Sequence, residues 1–176
     1  MSELKKGSKR QRGFSLLEVM IALMLLLVGL VAVAQLVPIS LRMNNDNRSD
    51  SVALVLAQRE LDQMVDQPLK STQFTDALGN VCNLGNSATP NNVVGSPVAT
   101  INNRPTIDFT AGQVGGYNFT YLDPEDPYGA TYDIRWAVIT TANGGTANSK
   151  RFIIGARQLR GDGYIQPLTL DAMVEK

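Results

Sequence analysis

The chain contains no histidine and only one cysteine, Cys82. Without histidine it lacks the commonest general base, the usual serine–histidine–acid triad and the commonest metal ligand. With one cysteine no intrachain disulfide can form. No Cys-x-x-Cys pattern accompanies Cys82, so its thiol reads as an inert, partly packed side chain. No Gly-x-Ser-x-Gly nucleophile motif occurs, and no internal repeat is visible at any period. These absences argue against an enzyme and imply no cofactor and no metal. A function in binding or assembly remains.

Charge is balanced overall, with 16 basic and 16 acidic residues, but it is unevenly placed. Lys5, Lys6, Lys9, Arg10 and Arg12 face only Glu3 in the first thirteen residues. A basic patch can serve nucleic acid, yet this one is short, carries no aromatic residue and abuts an apolar run. Positive-inside membrane topology accounts for it better, and no nucleic-acid partner is implied.

That run reads "RGFSLLEVMIALMLLLVGLVAVAQL", and from Val19 to Val37 its only strongly polar residue is Gln35. Together with Phe14, Leu16 and Leu17 it reaches the roughly 20 residues that cross a bilayer core as a helix. A secretory signal would end in a small-x-small cleavage site and a polar start, for which Ala32 and Ala34 are a poor imitation. Helix-forming residues continue instead from Ser40 to Gln67, with Ala53, Ala57, Leu61, Met64 and Val65 at helical spacing on one face. One helix from Phe14 to Gln67 is expected, bent near Pro38 and stopped by Pro68. The apolar stripe of its second half needs a surface to cover it.

Lys70 to Gly116 is rich in Asn, Gly, Thr, Ser and Pro and predicts loop, with a short strand near Thr106 to Thr110. "YNFTYL" (Tyr117 to Leu122), "TYDIRWAVIT" (Thr131 to Thr140) and "KRFIIGARQL" (Lys150 to Leu159) are β-branched and aromatic runs that predict strands. An Asn-Gly-Gly turn at Asn143 to Gly145 joins the second and third. A further turn at Gly161, Asp162 and Gly163 leads into a last strand, Tyr164 to about Met173, which Pro167 assigns to an edge. Tyr132 and Trp136 share one strand face and read as core. The fold class is α+β: a long N-terminal helix packed on a small antiparallel sheet of three to five strands.

The single acid in the apolar run, Glu18, raises the sharpest question. A lone charge in a membrane helix costs about 2.5–3.5 kcal/mol on insertion scales, and such a residue usually faces protein and has a partner. The plainer reading is that Glu18 snorkels to headgroups from the helix end. The stretch "KRQRGFSLLEVMIALMLL" decides between them. Gly13, Phe14 and Glu18 resemble the signature of the type IV pilin and pseudopilin family: a basic leader, then Gly, Phe, and Glu at the fifth position of the mature chain.

The resemblance implies cleavage after Gly13 by prepilin peptidase, a membrane aspartic protease that also methylates the new amine of Phe14. It implies the type IV pilin fold, assembly with other pilin subunits through the N-terminal helix, and contact with an inner-membrane assembly platform and the lipid bilayer. Glu18 would form the assembly salt bridge with the amine of a neighbouring subunit. Removing the leader takes away five cations and leaves that ammonium as the nearest one. Desolvation of both charges offsets much of the attraction, so the pair sets register more than it adds stability.

"ALVLAQRELDQMVDQP" (Ala53 to Pro68) is similar to the segment that follows the membrane half of PilV-type minor pilins and type II secretion minor pseudopilins. Pro38 falls later than the helix proline of major pilins, and the cysteine pair that closes the C-terminal loop of many of them is absent. The expected organisation is a cytoplasmic leader (1–13), a transmembrane helix (14–37), an amphipathic soluble helix (38–68) and a periplasmic loop and sheet domain (69–176). The protein would lie in the bacterial inner membrane, N-terminus inside, until drawn into a pilus. The expected function is that of a minor pilin that helps initiate or modify pilus assembly. A minor pseudopilin of a type II secretion system, or an unprocessed anchor bearing a periplasmic binding domain, are the alternatives. Asp123, Glu125 and Asp126 have a spacing that could bind calcium, but an acidic Asp-Pro turn is more often plain solvated loop.

Overall fold

The structure, a computed structural model, describes residues 13–86, 91–126, 129–143, 146–159 and 167–175. The chain divides into two compact units, Met1–Asn45 and Asp46–Lys176. Among the described residues a single helix, α1 (Leu16–Val65), is followed by nine strands. They are β1 (Gln73–Thr75), β2 (Val81–Asn83), β3 (Val93–Gly95), β4 (Val98–Ile101), β5 (Arg104–Ile107), β6 (Asn118–Leu122), β7 (Thr131–Asn143), β8 (Thr146–Gln158) and β9 (Leu168–Glu175).

Every described residue from Gly13 to Asn45 is exposed, and Leu, Met, Ala and Val line the helix on all sides. An all-round apolar helix of this length needs lipid or other helices around it. Pro38 lies within α1 without ending it. The helix ends before Pro68, as the proline rule requires, and Gln67 closes the last turn with a bond from its N–H to the Met64 carbonyl at 3.3 Å.

Within the second unit, α1 buries Ala53, Leu56, Ala57, Leu61 and Met64, while Val65 is half-buried. This is the predicted face with two additions, Leu56 and Glu60, the latter fully buried in the middle of it. The stripe covers one side of a five-stranded antiparallel sheet in the order β3-β7-β8-β9, with β6 pairing β7 on the edge that β3 also uses. Tyr132, Ile134, Trp136 and Val138 of β7, with Phe152, Ile154 and Ala156 of β8, complete this core. Trp136 sits between the rings of Tyr117 and Phe119, with centroids at 6.2 and 6.1 Å, and its Nε1–H donates to the Asn83 carbonyl at 2.8 Å. Tyr132 and Trp136 are therefore core residues on one face, as their spacing predicted.

The opposite face of the sheet is covered as well. The β4–β5 hairpin turns at Asn102 and Asn103, whose φ values of 51° and 61° suit a tight primed turn that Asn tolerates. It lays Ile107 and Phe109 on Ala137 and Ile153. Gly155 makes this approach possible, because a Cβ there would stand 2.9 Å from the Ile107 Cβ and from Phe109 Cε2. Beside it Asp133, fully buried, accepts from Arg135 Nε at 3.0 Å, and Arg157 Nη2 lies 3.3 Å from the same carboxylate. Both guanidinium groups stack over Phe109.

The expectation of loop through Lys70 to Gly116 is therefore corrected, because this stretch holds the β1–β2 and β4–β5 hairpins and β3. The strand expected at Thr106 to Thr110 runs from Arg104 to Ile107 instead, set by the Asn-Asn turn before it. β7 and β8 reach further than predicted, to Asn143 facing Thr146, and leave Gly144 and Gly145 as the connection. Those two glycines, the turn at Gly161 to Gly163 and the start of the last strand lie outside the described residues. β9 pairs only with β8 and is an edge strand, as predicted.

Two measurements check this packing. Gly155→Ala should lower the stability of the full chain in detergent micelles by about 1–3 kcal/mol, the usual cost of overpacking, in thermal unfolding. Gly112→Ala, where an added Cβ meets nothing within 4 Å, should change it by less than about 0.5 kcal/mol. Burial raises the Glu60 carboxyl from its ordinary 4.5 to about 7; the Cys82 hydrogen bond and Arg59 oppose the rise and Asp76 adds to it. Between those values the folded chain holds a proton that the unfolded chain has released, so stability should fall as pH rises from about 4.5 to 7, by at most roughly 3 kcal/mol. Glu60→Gln should flatten that slope in melts taken across the same range with a chelator present.

Candidate functional site

The first site is the head of α1. Gly13, Phe14 and Ser15 precede the helix in irregular backbone, and Phe14 is 83% exposed. Ser15 is the N-cap. Its Oγ accepts from the Glu18 N–H at 3.2 Å, and the Glu18 carboxylate accepts from the Ser15 N–H at 3.4 Å. This reciprocal capping box satisfies two of the backbone donors that a helix start leaves open, and it places a negative group at the positive end of the helix dipole. Glu18 is the only charged residue between Phe14 and Leu41. Within one chain, then, Ser15 holds the carboxylate, and the exposed position of Glu18 leaves its other lone pairs open to a second donor.

Among the described residues nothing lies within 4 Å of the position a Cβ on Gly13 would take, and Gly13 and Phe14 are both exposed. An accessible, irregular peptide just ahead of a capped helix is a shape that a protease can take as an extended strand. The basic leader residues of the predicted signal, up to Arg12, lie outside the described residues. α1 is long and apolar enough to cross a membrane by length and composition.

Of the acids at Asp123, Glu125 and Asp126, the side chains of the two aspartates serve the backbone. Asp123 Oδ1 accepts from the Glu125 N–H at 3.0 Å, and Asp126 Oδ2 accepts from the Ala130 N–H at 2.7 Å. Both close a turn, with Asp123 buried beneath it.

A second constellation was missed by sequence reasoning. Glu60 from α1, Asp76 from the β1–β2 turn and Cys82 from β2 are all buried, and one ligand atom from each lies within 4.8 Å of the others. The Cys82 thiol is fully buried, more than its predicted partial packing, and donates to Glu60 Oε1 at 3.4 Å. Burial pushes the thiol far up its scale, with the Glu60 charge adding to it, which disfavours a free thiolate. The only signal available in the sequence was an acid, Glu60, interrupting an otherwise apolar helical stripe.

Residues 8–34 match the family model described as the Prokaryotic N-terminal methylation motif. No curated protein and no solved structure matches the chain. The match spans the end of the leader, Gly13, Phe14, the capped Glu18 and the apolar half of the helix through Ala34. The N-terminal segment of this chain is the methylation-type signal of a type IV pilin-like prepilin.

Proposed function

We propose that the protein is a minor pilin subunit of a type IV pilus. Residues 1–13 form a cytoplasmic leader, 14–37 span the inner membrane, 38–68 continue as the soluble half of the helix, and 69–176 form the periplasmic domain. Prepilin peptidase cleaves after Gly13 and methylates the amine of Phe14. The subunit then joins other pilins at an inner-membrane assembly platform, helping to initiate or modify the filament. The part it plays is structural and non-enzymatic.

One observation carries this reading: the methylation motif coincides with an exposed Gly13–Phe14 bond set just before a helix whose first turn holds the single acid of its apolar half. Cleavage removes the leader cations and creates an ammonium on Phe14. In a bundle of such helices that ammonium is the natural second donor for the Glu18 carboxylate of a neighbour. Exchange from lipid into a filament costs little, because an apolar helix finds equally apolar surroundings in either place. The similarity of Ala53 to Pro68 to minor pilins, and the lack of a second cysteine, support a low-copy subunit over the main filament protein.

Intact-mass analysis should find a mature chain that begins at N-methylated Phe14 in cells with the peptidase. A chain that keeps its leader there would contradict the proposal in favour of an unprocessed anchor. Glu18→Ala should still insert and be cleaved, yet co-purify with partner pilins at least about tenfold less, the equivalent of about 1.4 kcal/mol.

A further inference from the structure

From the geometry of Glu60, Asp76 and Cys82 we infer that the second unit holds a structural zinc-type divalent cation between α1 and the β1–β2 hairpin. The three residues come from three separate places in the fold, and Glu60, Asp76 and Cys82 are exposed by only 0%, 5% and 0%. Glu60 Oε2 is buried and has no hydrogen-bond partner among the described residues, an expensive condition for a carboxyl group. No salt bridge reaches Glu60 or Asp76 among the described residues, and the nearby Arg59 guanidinium stacks on Tyr121, 5.7 Å from the ring centre. A thiol and two carboxyl groups thus converge in a dry place with an open oxygen and no ion pair among the described residues.

The spacing suits a tetrahedral ion. Metal–sulfur and metal–oxygen bonds of about 2.3 and 2.1 Å put sulfur and oxygen ligands about 3.6 Å apart, and Cys82 Sγ stands 3.4 Å from Glu60 Oε1. The Asn80 carbonyl oxygen, which accepts from the Asp76 N–H at 2.9 Å, lies 3.7 Å from Sγ and keeps a second lone pair for the fourth position. Asp76 is held by its own turn: Oδ1 accepts from the Leu78 and Asn80 N–H groups at 2.9 and 2.6 Å, and Oδ2 accepts from Asn80 Nδ2 at 2.7 Å. Such outer bonds orient ligating carboxylates. The donor set selects the ion, since a thiolate suits zinc, whereas calcium and magnesium take oxygen ligands only.

On binding, the metal replaces the Sγ proton and any proton held on Glu60. These leave to water, and no electron is transferred. The ion would clamp the hairpin onto the helix, a role independent of the pilin reading.

Cobalt(II), a spectroscopic stand-in for zinc, tests this on the untagged, metal-free full chain in detergent micelles. The expected result is a thiolate-to-cobalt charge-transfer band that saturates at one equivalent. Glu60→Gln should weaken binding at least about tenfold while keeping the wild-type circular dichroism. Zinc-edge X-ray absorption of the wild type should then show one sulfur with oxygen and no nitrogen, because the chain has no histidine. Absence of the band, a shell without sulfur, or undiminished binding by Glu60→Gln would overturn the inference. Should Glu60→Gln fail to fold, the wild-type band and shell alone decide.

Discussion

A carboxylate at the head of an apolar helix is the constraint on which the N-terminal segment depends. Glu18 must be hydrogen-bonded wherever it goes, and in the single chain the bond comes from Ser15. That local solution fixes the start of α1 and turns the carboxylate into a preset acceptor at the helix head. It also separates two segments that lie side by side. Residues before Ser15 remain irregular and accessible, while residues after it are helical from the first turn. The order of irregular peptide, cap and apolar helix makes the methylation motif physically coherent.

The other half of α1 answers a different demand. From Ala53 to Met64 its buried positions follow helical spacing and cover one face of the sheet, where Trp136 and Tyr132 fill the centre. β7 is buried on both faces because the β4–β5 hairpin closes over Ala137 and Ile153 while the helix closes over Ile134 and Trp136. Continuous burial explains why this strand shows only partial alternation in sequence. It also explains why Asp133 and Arg135, placed on the second face, form a closed ion pair rather than meeting solvent, with side chains only 0% and 5% exposed.

Much of this could be read from residue order alone. The helix, its end at Pro68, the strands at β6, β7 and β8, the edge position of β9 and the shared face of Tyr132 and Trp136 all follow from periodicity and proline chemistry. The hairpins between Gln73 and Ile107 could not be read in the same way. Their strands are three or four residues long, too short for alternation to emerge, and their turns use Asn and Asp where a loop would as well. Asn102 and Asn103 were the available signal, since adjacent asparagines between "VATI" and "RPTI" suit a primed turn. The buried cluster is invisible for a different reason. Glu60, Asp76 and Cys82 are brought together only when the hairpin folds against the helix, and nothing in their spacing announces it. The Gly13, Phe14 and Glu18 signal, by contrast, is local and needs no tertiary structure to be recognised.

The central claim is that the Glu18 carboxylate is answered by the amine of a different chain. Solid-state NMR on assembled filaments tests it most directly when this subunit carries carbon-13 at the Glu18 carboxyl and the pilins around it carry nitrogen-15 at their N-terminal amines. The account predicts dipolar dephasing between the two labels in this mixed sample, at a distance close enough for an ion pair. Dephasing that occurs only when both labels sit in one chain, or none at all, would contradict it.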